Sequence, residues 1–136
     1  MSTLERRGER RALLLNAAFD LLGTVGWPAT TVRAVVERAA LHPRYFYESF
    51  DELDGLVAAV YDRLIDELGM IVMGALADSG ADPAVRVRAV VKGIVEFVDE
   101  DRRRGRVLYV EGLGNEVLNL RRMDAGRAVV SFVERY

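Results

Sequence analysis

Residues 30–50, TTVRAVVERAALHPRYFYESF, decide the fold of this chain because they encode two short helices joined by a tight turn. Thr30 or Thr31 can cap the first helix, since a threonine hydroxyl accepts a hydrogen bond from a free N–H two or three residues on. Pro43 suits the first turn of a second helix and disfavours helical geometry at His42 before it. The apolar face of the first helix is formed by Val32, Val35, Val36 and Ala39. The pattern predicts a helix-turn-helix, a motif that reads DNA.

The second helix of this motif is expected to run from about Pro43 to Ser49. Phe46 and Phe50, four residues apart, are its apolar anchors. The rest of its surface carries Arg44, Tyr45, Tyr47 and Glu48. Exposed tyrosines beside an arginine are unusual for a merely solvated face, so this surface is a candidate for binding.

Four short motifs occur in order along the chain: Thr-Thr-Val-Arg, Ala-Ala-Leu, Arg-Tyr-Phe-Tyr-Glu-Ser-Phe and Leu-Asp-Gly-Leu. Together they resemble the DNA-binding region of the tetracycline-repressor (TetR) family over about residues 10–62. The resemblance implies an all-α fold, with an N-terminal three-helix helix-turn-helix DNA-binding domain at residues 1–51. A helical effector-binding and dimerisation domain follows at residues 52–136. Family members usually continue for two further long helices that form the dimer interface, so we expect this second domain to be incomplete at its C-terminus.

The resemblance also implies how the helix-turn-helix meets DNA. The second helix would lie in the major groove, with phosphate contacts fixing its register and base contacts reading the sequence. His42, Pro43 and Arg44 match base-reading positions. Arg44 is expected to carry most of the specificity, because a bidentate arginine on guanine contributes about 1–3 kcal/mol of discrimination. The positions that bind phosphate are matched by Thr31, Tyr45 and Tyr47, with Arg33 as a helper.

Two positions depart from the family pattern. Ala40 stands in the turn where the family usually has glycine, and a slightly different turn is expected because alanine tolerates positive φ poorly. Leu53 stands at the start of the following helix, where a phosphate-binding lysine is common. Losing that cation should weaken binding to all sequences alike and reduce its salt slope by about one unit.

The N-terminal segment supplies a helix and a cluster of arginines. A helix is expected from Arg10 to Val25, ending at Gly26, which completes the three-helix domain. Residues 1–47 carry seven arginines and four acidic side chains, a net charge of +3, although the whole chain carries −2. The arginine pairs at positions 6–7 and 10–11 have two open interpretations. They form either an arm that reaches phosphates or the minor groove, or a disordered, solvated tail.

Apolar spacing predicts further helices after residue 50. Asp51 is a good N-cap for a long helix from about Glu52 to Ala77. The apolar side chains of that helix from Val60 onward, Leu64 included, would need a core different from that of the DNA-binding domain. Residues 78–83 have the composition of a linker, and the helix that begins at position 83 ends in the charged run 99–106, expected to be a solvated corner. A short apolar helix at 107–113 and a last helix at 116–136 complete the prediction.

In the family, the helices of the second domain enclose a pocket for a small effector, whose binding changes the spacing of two recognition helices and so releases a repressor from DNA. Half-sites lie about 34–36 Å apart, so a small shift is enough. A long helix shared by both domains can carry that movement. The candidate pocket residues are Tyr61, Leu64, Leu68, Met73, Phe97, Val98, Tyr109 and Glu111. Such side chains are also ordinary core residues of helical proteins, and that alternative stays open.

Composition argues against several other classes of protein. With no cysteine, one histidine and no Gly-rich phosphate loop, we expect neither an enzyme nor a cofactor. No apolar run reaches membrane length, and the N-terminus is charged where a signal peptide is apolar, so a cytoplasmic protein is expected. The implied partners are a pseudo-palindromic double-stranded DNA operator, a small apolar or amphipathic effector and a second copy of the chain. The alternative is a helical protein-interaction module whose degenerate helix-turn-helix no longer binds DNA.

Overall fold

The computed structural model describes residues 2–110 and six isolated later residues: Glu116, Leu120, Arg121, Met123, Asp124 and Arg127. Six helices follow one another in the described part: α1 (Thr3–Thr24), α2 (Val32–Ala39), α3 (Arg44–Ser49), α4 (Leu53–Asp78), α5 (Pro83–Glu100) and α6 (Arg102–Gly105). A short 3-10 turn, Trp27–Ala29, joins α1 to α2, and a π-helical turn, Arg106–Val110, follows α6. No strand occurs in these residues, and the prediction of an all-α fold is confirmed.

α1 begins seven residues before the predicted start at Arg10. The cause is a cap at Ser2, whose hydroxyl accepts a hydrogen bond from the N–H of Glu5 at 3.1 Å. Serine followed by glutamate three residues later is a helix-start pattern. The arginines at positions 6, 7, 10 and 11 therefore lie on a helix, and the interpretation of a disordered tail is wrong.

α4 is the longest helix, with 26 residues, so it extends about 39 Å. Its N-cap position is Glu52, which makes no side-chain capping bond. The prediction that Asp51 caps this helix is therefore wrong. α4 packs against both α1 and α5. Gly93 of α5 faces Ile71 and Ala75 of α4.

One buried apolar cluster runs through the described residues. It extends from Leu14 in α1 through Phe46 in α3 to Val107 after α6. Val60 and Leu64 belong to this same cluster, so the prediction that they pack in a separate core is wrong. The reason is that α1 packs against both α4 and the segment around α6, so that Val107 and Leu108 after α6 join the same cluster.

The charged run at 99–106 is only in part the solvated corner that the sequence predicts: Asp99, Glu100 and Arg102 are exposed, and the other five residues are half-buried. Arg103 donates to Asp101 at 2.7 Å and to Asp20 of α1 at 3.0 Å. Arg104 donates to the carbonyl of Phe97 at 2.7 Å, and its guanidinium lies 4.0 Å from the centre of that ring. Arg103 and Arg104 therefore pack against the rest of the molecule, because their guanidiniums bind acceptors and an aromatic face there.

The predicted helices at 107–113 and 116–136 lie partly or largely outside the described residues. Among the residues that the structure describes, no helix combines the length and the apolar character needed to cross a membrane.

Candidate nucleic-acid interface

The turn between α2 and α3 contains an alanine in the left-handed conformation. Ala40 has φ 55° and ψ 43°, and its N–H donates to carbonyls of the last turn of α2. The N–H of Leu41 donates to the carbonyl of Val36 at 3.0 Å. These bonds satisfy carbonyls that the helix end would leave unpaired. The expectation of a different turn at Ala40 is wrong, because alanine adopts here the geometry that glycine would favour.

The two threonines before α2 have separate roles. Thr31 is the N-cap, and its hydroxyl oxygen accepts a hydrogen bond from the N–H of Ala34 at 3.1 Å. Thr30 is buried and donates its hydroxyl to the carbonyl of Gly26 at 2.8 Å. The predicted start of α2 is confirmed. Because the exposed Thr31 hydroxyl accepts this bond, its own proton can be donated to a phosphate.

α3 is anchored by aromatic side chains on its inner side. Phe46 is fully buried, and its ring centre lies 5.8 Å from that of Phe50. Tyr47 packs edge-on against Phe46 at 5.0 Å but stays 60% exposed. The anchors hold the helix while leaving its start and one tyrosine at the surface.

The residues predicted to bind DNA are mostly exposed. Tyr45 is half-buried, and the exposed ones are Thr31, Arg33, His42, Pro43, Arg44 and Tyr47. His42 accepts a hydrogen bond at Nδ1 from the N–H of Arg44 at 3.1 Å, and Arg44 donates to the Tyr45 hydroxyl at 2.8 Å. Arg33 instead pairs with Glu37 on α2 at 3.1 Å. The structure thus brings His42, Arg44 and Tyr45 into direct contact.

Sequence reasoning missed the contacts between α1 and α3. Arg10 makes two hydrogen bonds to the Glu48 carboxylate, Nε to Oε2 at 2.9 Å and Nη2 to Oε1 at 2.6 Å. Arg7 donates to the main-chain carbonyl of Glu48. The pattern of Ser2 followed by Glu5 three residues later predicts a helix start, and it could have indicated from sequence that these arginines lie on a helix. It would not have identified their partner.

The Arg10–Glu48 pair fixes the charge of both groups. The hydrogen bond from Arg10 lowers the pKa of Glu48 below its ordinary value, with a smaller contribution from the charge of Arg7. The same bond raises the pKa of Arg10. Glu48 is therefore ionised at neutral pH, and its negative charge on α3 is matched by a cation from α1.

The other end of α1 contacts the segment after α5. Asp20 accepts hydrogen bonds from Arg103 and from Arg38 of α2. Gly23 lies directly against Arg103, where a Cβ would collide with both its side chain and its backbone. Arg106 donates to the carbonyl of Thr24. The helix-turn-helix and the segment around α6 are thereby joined through α1.

A cleft of about 300 Å³ opens where α1, α4 and α6 meet. Val60 and Leu64 form apolar parts of its wall, and Arg63 and Arg103 contribute guanidiniums. Of the predicted effector residues, Leu64 lines this cleft. The others are buried (Tyr61, Phe97), half-buried (Leu68, Val98) or exposed (Met73, Tyr109), and Glu111 lies outside the described residues. The structure does not bring the described members of this set together around the cleft.

Comparison with known proteins adds a family and several relatives. Residues 14–60 match the family described as bacterial regulatory proteins, tetR family. The chain is 32% identical over 84 residues to the HTH-type transcriptional regulator BetI of Stenotrophomonas maltophilia (strain R551-3), covering 62% of this chain and 43% of that protein. It is 30% identical over 103 residues to the HTH-type transcriptional activator FasR of Mycolicibacterium smegmatis (strain ATCC 700084 / mc(2)155), covering 76% of this chain and 47% of that protein. The matched part thus spans under half the length of each of these two relatives. No solved structure matches the chain.

Proposed function

We propose that this chain, whose residues 14–60 match the tetR family of bacterial regulatory proteins, is a transcriptional regulator that binds double-stranded DNA through α3. The observation that carries the proposal is the start of α3, where His42, Pro43 and Arg44 are exposed while Phe46 is fully buried. A rigid helix with exposed donors at its start is the arrangement that enters a major groove. The two relatives are named as regulators, not as enzymes, in agreement with the sequence-based prediction.

The proposal divides the contacts by type. We assign base reading to His42, Pro43 and Arg44. We assign phosphate binding to Thr31, Arg33, Tyr45 and Tyr47, which would set register and orientation. We retain residues 1–51 as the DNA-binding domain and 52–136 as the effector-binding and dimerisation domain.

Selection from random duplexes tests the proposal. The full chain is incubated with the pool at about 50 and 200 mM salt, and bound DNA is sequenced; phosphate-driven binding should fall by orders of magnitude between the two salts. We expect a palindrome with half-sites one helical turn apart. Arg44→Ala should lose discrimination at one base pair, whereas Arg33→Ala should weaken binding to all sequences alike. Arg88→Ala, an exposed arginine of α5, is the matched control and should change neither.

The alternative is a protein-interaction module that uses the same surface, with the half-buried Tyr45 and the exposed Tyr47. It predicts no enriched sequence and weak binding at both salts, and that result would overturn the proposal of a DNA-binding regulator.

A palindromic operator matches a protein with twofold symmetry, so we propose that the regulator is a homodimer acting in the cytoplasm. Sedimentation of the protein with and without the selected duplex tests this. Two chains per palindrome are expected, and one chain per palindrome would contradict it.

We further propose that a small amphipathic effector releases the DNA and that the regulator is a repressor. The cleft between α1, α4 and α6 is the candidate site, because it joins apolar walls to guanidiniums where α1 faces the later helices. The probe is anilinonaphthalene sulfonate, an amphipathic anion. We expect its fluorescence to rise with the native chain and DNA to be released.

Asn16→Trp would fill this cleft and should abolish both effects, since Asn16 is exposed and lines it. Ala84→Trp, exposed in the first turn of α5 and a helix length away from Asp101 of the cleft, should retain both. Equal fluorescence with the two variants would exclude the cleft as the site. A reporter gene behind the selected operator tests repression, and activation would contradict it.

A further inference from the structure

α3 depends on tertiary contacts for its position. It has six residues, and helices of that length are not stable on their own in water. Phe46 and Phe50 hold its inner side in the core. Its last turn is held by α1, since Arg7 donates to the Glu48 carbonyl and Arg10 binds the Glu48 carboxylate.

Arg10 also contacts the ring next to the predicted base reader. Its guanidinium carbon lies 4.5 Å from the centre of the Tyr45 ring. The guanidinium carbon of Arg44 lies 4.8 Å from the same centre, and Arg44 Nη2 donates to the Tyr45 hydroxyl at 2.8 Å. Continuous contacts therefore lead from Glu48 through Arg10 and Tyr45 to Arg44.

We propose that Arg10 of α1 is a specificity-determining residue that acts by positioning, because it holds Tyr45 and Tyr45 in turn orients Arg44. The inference rests on the proposed function. A guanidinium reads guanine through two parallel hydrogen bonds, which require a fixed plane and direction. Arg44 is an exposed, flexible side chain, and the Tyr45 ring and hydroxyl restrict where its guanidinium can point.

A positioning residue and a phosphate contact are distinguished by their effects. Loss of a phosphate contact weakens binding to every sequence alike, whereas loss of the orientation of Arg44 reduces discrimination at the base pair that Arg44 reads. Because Arg10 would act through Arg44, removing Arg10 should change nothing further at that base pair once Arg44 is absent.

The test is a double-mutant cycle with the full chain on the selected operator and on its three variants at the base pair identified by Arg44→Ala. Arg44→Ala should reduce discrimination by about 5- to 150-fold. Arg10→Met should reduce it by about 3- to 10-fold, the size of one hydrogen bond's contribution. The double variant should discriminate no worse than Arg44→Ala alone.

Two further variants separate charge from geometry. Arg6→Met removes an exposed arginine of the same helix and should leave discrimination unchanged. Arg10→Lys keeps the charge but not the fork that binds Glu48 through two hydrogen bonds, so it should behave like Arg10→Met rather than like the native chain.

The inference would be overturned if Arg10→Met weakened binding to all four operators equally. It would also be overturned if the losses of discrimination from the two substitutions added up in the double variant. If Arg10→Met unfolds the chain, Tyr45→Phe is the deciding variant, because it removes the hydroxyl that accepts a hydrogen bond from Arg44. Loss of the phosphate contact assigned to the same hydroxyl would weaken binding to all four operators alike, so unchanged discrimination would overturn the inference. A native chain that enriches no sequence would instead refute the proposed function, so the two failures are distinguishable.

Discussion

The two ends of α1 hold different parts of the molecule by the same kind of bond, with the roles reversed. Near its N-terminus α1 supplies the cation, and Arg10 binds the carboxylate of Glu48 on α3. Near its C-terminus it supplies the anion, and Asp20 binds Arg103 from α6 and Arg38 from α2. One helix thereby holds both α3, the candidate DNA-reading helix, and α6, which lies far along the chain from it.

The packing behind these bonds differs between the two ends. At the first end a large aromatic side chain, Phe46, fills the space beneath α3. At the second end a missing side chain, at Gly23, lets Arg103 lie directly on α1. Packing at the first end therefore depends on the volume of the Phe46 side chain, and packing at the second end depends on the absence of a side chain at Gly23. Substitutions at these two positions should have separate effects on stability.

The largest effect is expected at the first end. Phe46→Ala leaves a cavity in the core and should lower the free energy of unfolding by about 3–5 kcal/mol. Tyr47→Phe, on the same helix but 60% exposed, should change it by less than about 0.5 kcal/mol. Denaturant unfolding measures both values. Equal small losses would show that α3 does not depend on its buried anchor.

At the second end, Gly23→Ala should lower the free energy of unfolding by about 1–3 kcal/mol, since the new methyl group collides with Arg103. Gly69→Ala in α4 is the matched control, because a Cβ there meets nothing within 4 Å. It should stabilise the chain by about 1 kcal/mol through helix propensity alone. Stabilisation by both substitutions would mean that α6 does not lie against α1.

A third substitution tests the turn that presents α3. Ala40→Gly should raise the free energy of unfolding by about 0.5–1 kcal/mol, because left-handed alanine is strained by about 1–2 kcal/mol and the freer glycine loses part of that gain. Ala39→Gly, one residue earlier in the helix, should lower it by about 1 kcal/mol. Thermal melts of the two variants should shift in opposite directions, and a loss of stability in both would contradict the left-handed turn.

Acid should give the smallest effect. Hydrogen bonds from Arg10 and Arg103 hold the pKa values of Glu48 and Asp101 below their ordinary values of 4.5 and 3.8. A lowered pKa in the folded state stabilises above the unfolded value and is lost as the pH falls through the folded one. The destabilisation caused by Glu48→Gln should therefore be constant at neutral pH and shrink below about 4.5. For Asp101→Asn it should shrink only below about 3.8. Urea unfolding across this range measures both, and a difference that grows with acid would contradict the assigned pairs.

Local features of the fold could be predicted from sequence, and distant pairings could not. The cap at Thr31, the start of α3 near Pro43 and the start of α5 at Pro83 follow from neighbouring residues alone. The Arg10–Glu48 pair spans 38 residues and the Arg103–Asp20 pair spans 83. Periodicity shows which face of a helix is apolar, but an arginine in a charged run looks the same whether it is solvated or paired across the molecule.

The candidate site divides in the same way. The exposure of His42, Pro43 and Arg44 could be anticipated from the apolar spacing around them. The contact of Tyr45 with Arg10 depends on how α1 crosses α3, which no local pattern specifies.

The turn between α1 and α2 contains an intrinsic fluorophore. Trp27 is the single tryptophan of the chain. It is half-buried against the buried apolar cluster, in the turn between α1 and α2. Indole emission depends on the polarity of its surroundings. Its intrinsic fluorescence therefore reports on the helix-turn-helix without any attached dye, including in the presence of a duplex, which carries no tryptophan of its own.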